Sequence, residues 1–404
     1  MGRADGHKPH PFGLAEQDMY IGPRRKRRSR PGRVLTLLVV DALLVWLVYR
    51  LFFVERPQWT RPFEPTPTPT RTAASYREEA EQAYQRGLLG RAAEAYREAL
   101  EREPEDAETH ARLARVLALA GWFDEAVAEA QKAVSLEPKE PRYLAVLGMA
   151  LEWNGQLDEA IETCLRALEL DPDLGVAHAY LAEAYVDKGF WQQALEEAQK
   201  AVELDGQNVD VRRNLAYVYE AQGKYRQAIE EYQRAIELHP NLPHLYLSLG
   251  HNYLALGRRE EGLEQFRKAV NIDPHSPRTH DQLGWAYYMM GDYARAVVEL
   301  EQALEADPAY APAYGHLGVV YYVQKNYEKA IPNLKKAIEL GRPSAEYYYE
   351  LGLSYVFLGD CEQGLPWLEE ALQLDPASEP AWQGIDICEG RQANPGGAQP
   401  TGAP

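Results

Sequence analysis

Alanine returns every 34 positions along most of this chain: Ala99, Ala133, Ala167, Ala201, Ala235, Ala269, Ala303, Ala337 and Ala371. A small residue at so strict an interval implies that one close helix approach is repeated nine times. Proline keeps the same interval at Pro104, Pro138, Pro172, Pro240, Pro274, Pro308 and Pro376, with Gly206 and Arg342 in the two broken places. A second series is always small: Ala80, Ala114, Gly148, Ala182, Ala216, Gly250, Gly284, Gly318 and Gly352. A chain with this register builds a stack of like units, each packed mainly on its neighbours.

Residues 209–242 show what one unit contains. Leu215, Ala216 and Tyr219 share one face at helical spacing, and Ala228, Tyr232 and Ala235 share a face of a second helix. Gly223 lies between them, where a helix end favours a residue tolerant of positive φ. Pro240 closes the unit because proline cannot continue a helix.

This pattern resembles the tetratricopeptide repeat (TPR), whose 34 residues carry an aromatic, Leu-Gly, Tyr, Ala, Phe and Pro in fixed order. Nine units fit between 73 and 378. The resemblance implies an all-α fold, an α-solenoid in the form of a right-handed superhelix of nine TPR helix-turn-helix repeats. Residues 379–390 read as a C-terminal capping helix. Trp382 and Ile385 are placed to cover the last open core, and Asp386 stands where other units have Ala or Gly. Residues 391–404, rich in Gly, Pro and Ala, read as a disordered tail.

The array is preceded by an apolar run, Val34 to Val54. As a helix it would extend about 31 Å, the thickness of a hydrocarbon core. Residues 1–33 read as a disordered basic tail with net charge +6, seven of its basic residues falling between 24 and 33. Such a bias before a span places the N-terminus in the cytoplasm and the chain beyond the span outside it. The sequence therefore predicts a transmembrane anchor at 34–54 in a bacterial cell membrane. A Pro/Thr-rich linker at 55–72 would hold the array away from the bilayer. Asp41 lies inside the run. It either makes a polar contact with a partner helix or is an acid tolerated off centre.

The formal charge is −18 overall and −24 once the tail and the span are set aside. So acidic an array argues against nucleic acid as a partner. No phosphate loop, dinucleotide fingerprint, zinc-protease motif or nucleophile elbow is present. No cofactor, metal site or catalytic residue is therefore expected, and the chain reads as a non-enzyme without a small-molecule substrate. His110, His178 and His280 share the fourth position of their units and read as packing residues. Cys164 reads as core. Cys361 and Cys388 lie near one another, and the sequence leaves open whether they pair.

In relatives of the repeat family, the first helix of each unit lines a concave groove with positions 2, 5, 9, 12 and 13. In repeats 1–3 those positions include Arg77, Glu81, Glu108, Arg115, Arg142 and Glu152. In repeats 7–9 they are mostly apolar or aromatic, with Trp285, Tyr288, Met289, Tyr322, Tyr349 and Phe357 as the expected partner-binding residues. The chain is read as a membrane-anchored scaffold that holds a protein or peptide partner in this groove. Two alternatives stay open: a substrate-selecting, non-catalytic subunit of an envelope enzyme such as a glycosyltransferase, and a cytoplasm-facing adaptor of reversed topology.

Overall fold

The computed structural model describes residues 31–50, 71–341 and 344–390. The tail at 1–30, residues 51–54 of the expected span, the linker to residue 70 and the tail at 391–404 lie outside the described residues. Among the described residues there are twenty α-helices and no strand.

Helix α1 (Pro31–Tyr49) falls in a unit separate from the array. Its apolar side chains from Leu35 to Tyr49 are exposed all round, and Asp41 is exposed among them. Among the described residues, no helix is long and apolar enough to cross a membrane, so the transmembrane anchor expected at 34–54 is not shown; its residues 51–54 lie outside the described residues.

The array contributes two helices per unit. The first helices are α2 (Ala73–Gln85), α4 (Ala107–Ala120), α6 (Pro141–Trp153), α8 (Gly175–Asp187), α10 (Val209–Ala221), α12 (Pro243–Ala255), α14 (Pro277–Met289), α16 (Ala311–Val323) and α18 (Ala345–Phe357). The second are α3 (Leu89–Leu100), α5 (Phe123–Leu136), α7 (Leu157–Leu170), α9 (Trp191–Asp205), α11 (Tyr225–Leu238), α13 (Arg259–Ile272), α15 (Tyr293–Ala306), α17 (Tyr327–Leu340) and α19 (Cys361–Leu374). A final helix, α20 (Glu379–Cys388), closes the array.

The alanine ladder is buried throughout. The second small series explains itself at Gly250, where a Cβ would stand 2.9 Å from the Phe266 ring. Phe266 is fully buried there, which contributes roughly 1.5–3 kcal/mol. Between the paired helices the chain turns through a left-handed residue. That residue is glycine in eight units and Lys325, at φ 61°, in the other.

The fourth position of the unit does more than pack. His110, His178 and His280 each place Nε2 3.0 Å from the carbonyl of the proline six residues earlier, with Nδ1 at 2.5–2.8 Å from Glu129, Glu197 and Glu299 respectively. Arg212 repeats this arrangement with Gly206 O and Glu231, at 2.8 and 2.9 Å. Tyr246 and Tyr314 donate their hydroxyls to Pro240 O and Pro308 O. Each such bond ties a first helix to the end of the preceding unit and satisfies a carbonyl at a helix end.

Trp382 occupies this same position in α20. Its indole N–H donates to Pro376 O at 3.1 Å, and its ring is 49% exposed. Only Ile385 of the two expected capping residues is buried, beside Ala381 and Gly384. Trp382 is drawn away because the hydrogen bond holds it at the rim. Cys361 and Cys388 form a disulfide that fastens α20 to α19. Cys164 is fully buried as a packing residue.

The units do not wind evenly. First helices of repeats 2–5 press on one another much more closely than those of repeats 6–9. Tighter spacing on the inner side tightens the curvature, and the early repeats come round to meet the middle ones.

Candidate functional site

The inner surface of the N-terminal half is occupied by the chain itself. Arg115 of α4 reaches Asp210 of α10, and Tyr180 of α8 donates to the same carboxylate at 2.9 Å. Tyr84 of α2 meets the His239 ring edge-on at 5.1 Å. Asn241 donates to Gln85 O at 2.9 Å. Gly87 approaches the Asn241 backbone so closely that a Cβ there would lie 1.8 Å from its oxygen.

Most of the charges expected to line the groove of repeats 1–3 are therefore engaged within the chain. Arg77 binds Asp106 at 2.6 Å, Glu108 accepts from Tyr143 at 3.1 Å, and Arg142 binds Glu140 at 2.7 Å. Glu81 accepts from Gln85 at 2.9 Å. Glu152 is buried.

Deeper inside, Arg213 of α10 binds Glu183 of α8 at 2.9 Å and lies over the Trp153 ring, 4.9 Å from its centre. Trp153 donates its own N–H to Glu183 at 3.0 Å. Burial opposes the charge of Asp210, but the Arg115 guanidinium outweighs it and holds the carboxyl down at about 2. The sequence reading missed Asp210, Arg213 and Glu183. The same position counting reaches all three once it is extended to repeats 4 and 5.

The C-terminal half differs. Trp285 stacks on Tyr288 at 4.5 Å and on His316 at 4.3 Å. His316 Nδ1 lies 2.6 Å from the buried carboxylate of Asp281. Gln282 links that carboxylate to His251, with bonds of 3.1 and 2.9 Å. A second ring cluster joins Tyr322, Tyr327 and Phe357, at 5.2–6.5 Å between neighbouring centres. Tyr349 is half-buried beside Tyr322, against Leu353 and Val356. The structure thus gathers four of the six expected residues, Trp285, Tyr288, Tyr322 and Phe357, into two aromatic groups and adds His316, Tyr293 and Tyr327, while Tyr349 and Met289 make no ring contact with either group among the described residues. His316 sits at position 6 and Tyr293 and Tyr327 at position 17, outside the groove positions that were counted.

Part of this surface is open. Met289, Val323 and Phe357 hold position 13 in three successive units and are 44%, 38% and 47% exposed. Beneath the tyrosines lies Glu350, 4% exposed, with no hydrogen bond to Oε2 among the described residues. Burial, reinforced by Glu346, pushes its carboxyl up to about 8. Among the described residues, no group of three or more His, Cys, Asp or Glu side chains is placed to hold a metal ion.

Family models agree with this repeat pattern. One described as TPR repeat matches residues 182–223 and 221–257. Others described as tetratricopeptide repeat match 83–150 and 287–351, 241–309, 141–174 and 345–378. No curated protein matches the chain. Among solved structures, a chain of the APC/C hetero-tetramer Cut9-Hcn1 superposes with a TM-score of 0.59 at 18% identity, over 78% of this chain and 64% of that one. The human IFIT1 dimer with PPP-AAAA gives a TM-score of 0.51 at 19% identity, over 74% of this chain and 82% of that one. At these identities the likeness concerns the fold alone.

Proposed function

We propose a binding role from one premise: the chain belongs to the tetratricopeptide repeat family. It acts as a non-catalytic scaffold that holds a protein or peptide segment along repeats 7–9. The observation that carries this reading is the row of Met289, Val323 and Phe357, exposed beside stacked rings. Apolar surface that is continuous and exposed marks interaction sites, and aromatic anchors supply most of their energy. The inner surface of repeats 1–5 is instead crossed by pairs within the chain, Arg115 with Asp210 and Arg213 with Glu183. A photo-crosslinking residue placed at Met289 or Phe357 in the full chain should capture a discrete partner in cells. The same residue at Glu203, on the outer side of the array, should not. Equal labelling from both positions would overturn the site.

The scaffold is anchored by residues 34–54, with the array outside the cytoplasm. This rests on the apolar run, on the basic residues before it and on the all-round exposure of the α1 side chains, which suits lipid. The Cys361–Cys388 disulfide fits an oxidising compartment. Within that anchor Asp41 is assigned a polar contact with another helix. Protease added to intact spheroplasts should digest the array; complete protection would favour the cytoplasm-facing adaptor.

A further inference from the structure

An open cleft of 620 Å³ lies at the inner rim of repeats 3–5, lined by Glu152, Trp153, Val186, Asp187, Trp191 and Tyr217 among others. Trp191 is 48% exposed there. Trp153 and Tyr217 are half-buried, and Arg213 covers one face of Trp153. Tyr217 donates its hydroxyl to Asp187 at 2.6 Å.

Glu152 is out of place in this wall. It is 6% exposed, and Oε2 has no hydrogen bond among the described residues. The charged and titratable groups around it are Glu183 and Asp187 of α8, Arg213 and Tyr217 of α10, and the Cys164 thiol of α7. Three carboxyls thus face a single guanidinium, and that one is bound to Glu183 by both of its terminal nitrogens. Lys188 and Arg115 are committed elsewhere, Lys188 to Asp158 at 2.7 Å and Arg115 to Asp210. The carboxyls outnumber the cations here by two.

We propose that this cleft binds an arginine side chain of a basic partner segment, its guanidinium set between Trp191 and Tyr217 and held by the Asp187 and Glu152 carboxyls. A planar guanidinium both stacks on aromatic faces and bridges carboxylates, which suits these walls. Burial, and then the charges of Glu183 and Asp187, push the Glu152 carboxyl well up from its ordinary value, toward the neutral form. The incoming cation reverses that balance. Glu152 ionises, its proton passes to solvent, and the carboxylate accepts hydrogen bonds from the guanidinium. The site is separate from the apolar row on repeats 7–9 and does not depend on it.

The test is calorimetry on the full chain in detergent, using a blocked pentapeptide with a single central arginine and its citrulline counterpart. At pH 7, in two buffers of different ionisation enthalpy, the arginine peptide should bind with release of about one proton. The citrulline peptide should bind at least about tenfold more weakly. Glu152→Gln keeps the shape of the neutral acid, so it should leave helicity and melting intact while weakening the arginine peptide at least about tenfold. Asp187→Asn should weaken it as well. No binding of the arginine peptide, equal binding of citrulline, unchanged affinity in Glu152→Gln or binding without proton release would each overturn the proposal. Phe357→Ser should leave peptide binding unchanged, which separates this cleft from the scaffold surface.

Discussion

Arg115 and Asp210 are 95 residues apart in sequence and meet through two hydrogen bonds, Nε to Oδ2 at 2.9 Å and Nη2 to Oδ1 at 3.0 Å. Repeat 2 thereby touches repeat 5 across the inner surface. An array held only by neighbour contacts would gain or lose stability unit by unit. Here the early and middle repeats are coupled, so damage at the pair should be felt across repeats 2–5 at once.

Arg115→Ala leaves Asp210 buried without its cation, a change that typically costs about 3–5 kcal/mol. Urea unfolding at pH 7 should show the loss. A paired change to Met at 115 and Leu at 210 should recover most of it. The pH response has a definite sign. The Asp210 carboxyl is held below its ordinary value, so its contribution is complete above about pH 4 and fades as pH falls toward 2. Arg115→Ala should lose that acid-dependent step.

Gly87 and Lys325 share the left-handed turn position but not the same surroundings. Gly87→Ala would push a Cβ into Asn241 O and to 2.5 Å from the Ile272 side chain, prying repeat 1 from the end of repeats 5 and 6. Gly121, at φ 93°, has nothing within 4 Å. Thermal melts should show Gly121→Ala costing about 1 kcal/mol and Gly87→Ala at least about 2 kcal/mol more. Lys325→Gly should stabilise by about 0.5 kcal/mol, since relief of the positive φ slightly exceeds the added chain entropy.

The repeat was legible because its signals are local. Ala235, Gly250 and Pro240 each answer to a helix partner or turn within one unit, and a 34-residue register exposes them. The winding was not legible, because it is the sum of small rotations set by packing across several units. That is why Asp210 could not be matched with Arg115 from sequence. The donors at the fourth position left a trace that was misread. His110, Arg212, Tyr246 and Trp382 all carry a hydrogen-bond donor six residues after the unit's closing Pro or Gly. Packing alone would not require that. At the candidate groove, the counted positions found the rings but not His316 or Glu350, which lie one position to the side and beneath.

Glu350 predicts a pH effect opposite to that of Asp210. Its folded-state carboxyl sits at about 8, above its ordinary value, so between about pH 4.5 and 8 the folded chain holds a proton that the unfolded chain releases. Stability should fall as pH rises through that window. Glu350→Gln should remove the penalty, raising stability at pH 7 by on the order of 2–3 kcal/mol and leaving pH 4 nearly unchanged. Melting temperatures at the two pH values decide it.

Reduction should act on the C-terminal end. The Cys361–Cys388 bond spans 27 residues, for which a chain-entropy estimate gives about 3–4 kcal/mol. Treatment with dithiothreitol, or Cys388→Ser, should speed hydrogen exchange in α20 while α4 through α12 keep their protection. Uniform loss of protection would show that the last unit is coupled to the whole array.

The aromatic surface offers a test that separates binding from packing. Trp285 is sandwiched between Tyr288 and His316, and His316 is bonded to the buried Asp281. Truncating it to alanine opens a hole and disturbs that pair, so Trp285→Ala should destabilise by about 3 kcal/mol or more. Phe357 touches Tyr322 and Tyr327 on one side only and is 47% exposed. Phe357→Ser should therefore shift stability by less than about 1 kcal/mol. If repeats 7–9 hold the partner, the same change removes a desolvated anchor and should weaken capture by about tenfold or more, equivalent to the roughly 1–2 kcal/mol expected of such a contact. Full capture by a well-folded Phe357→Ser variant, combined with loss of capture only where Trp285→Ala unfolds the region, would assign the rings to packing.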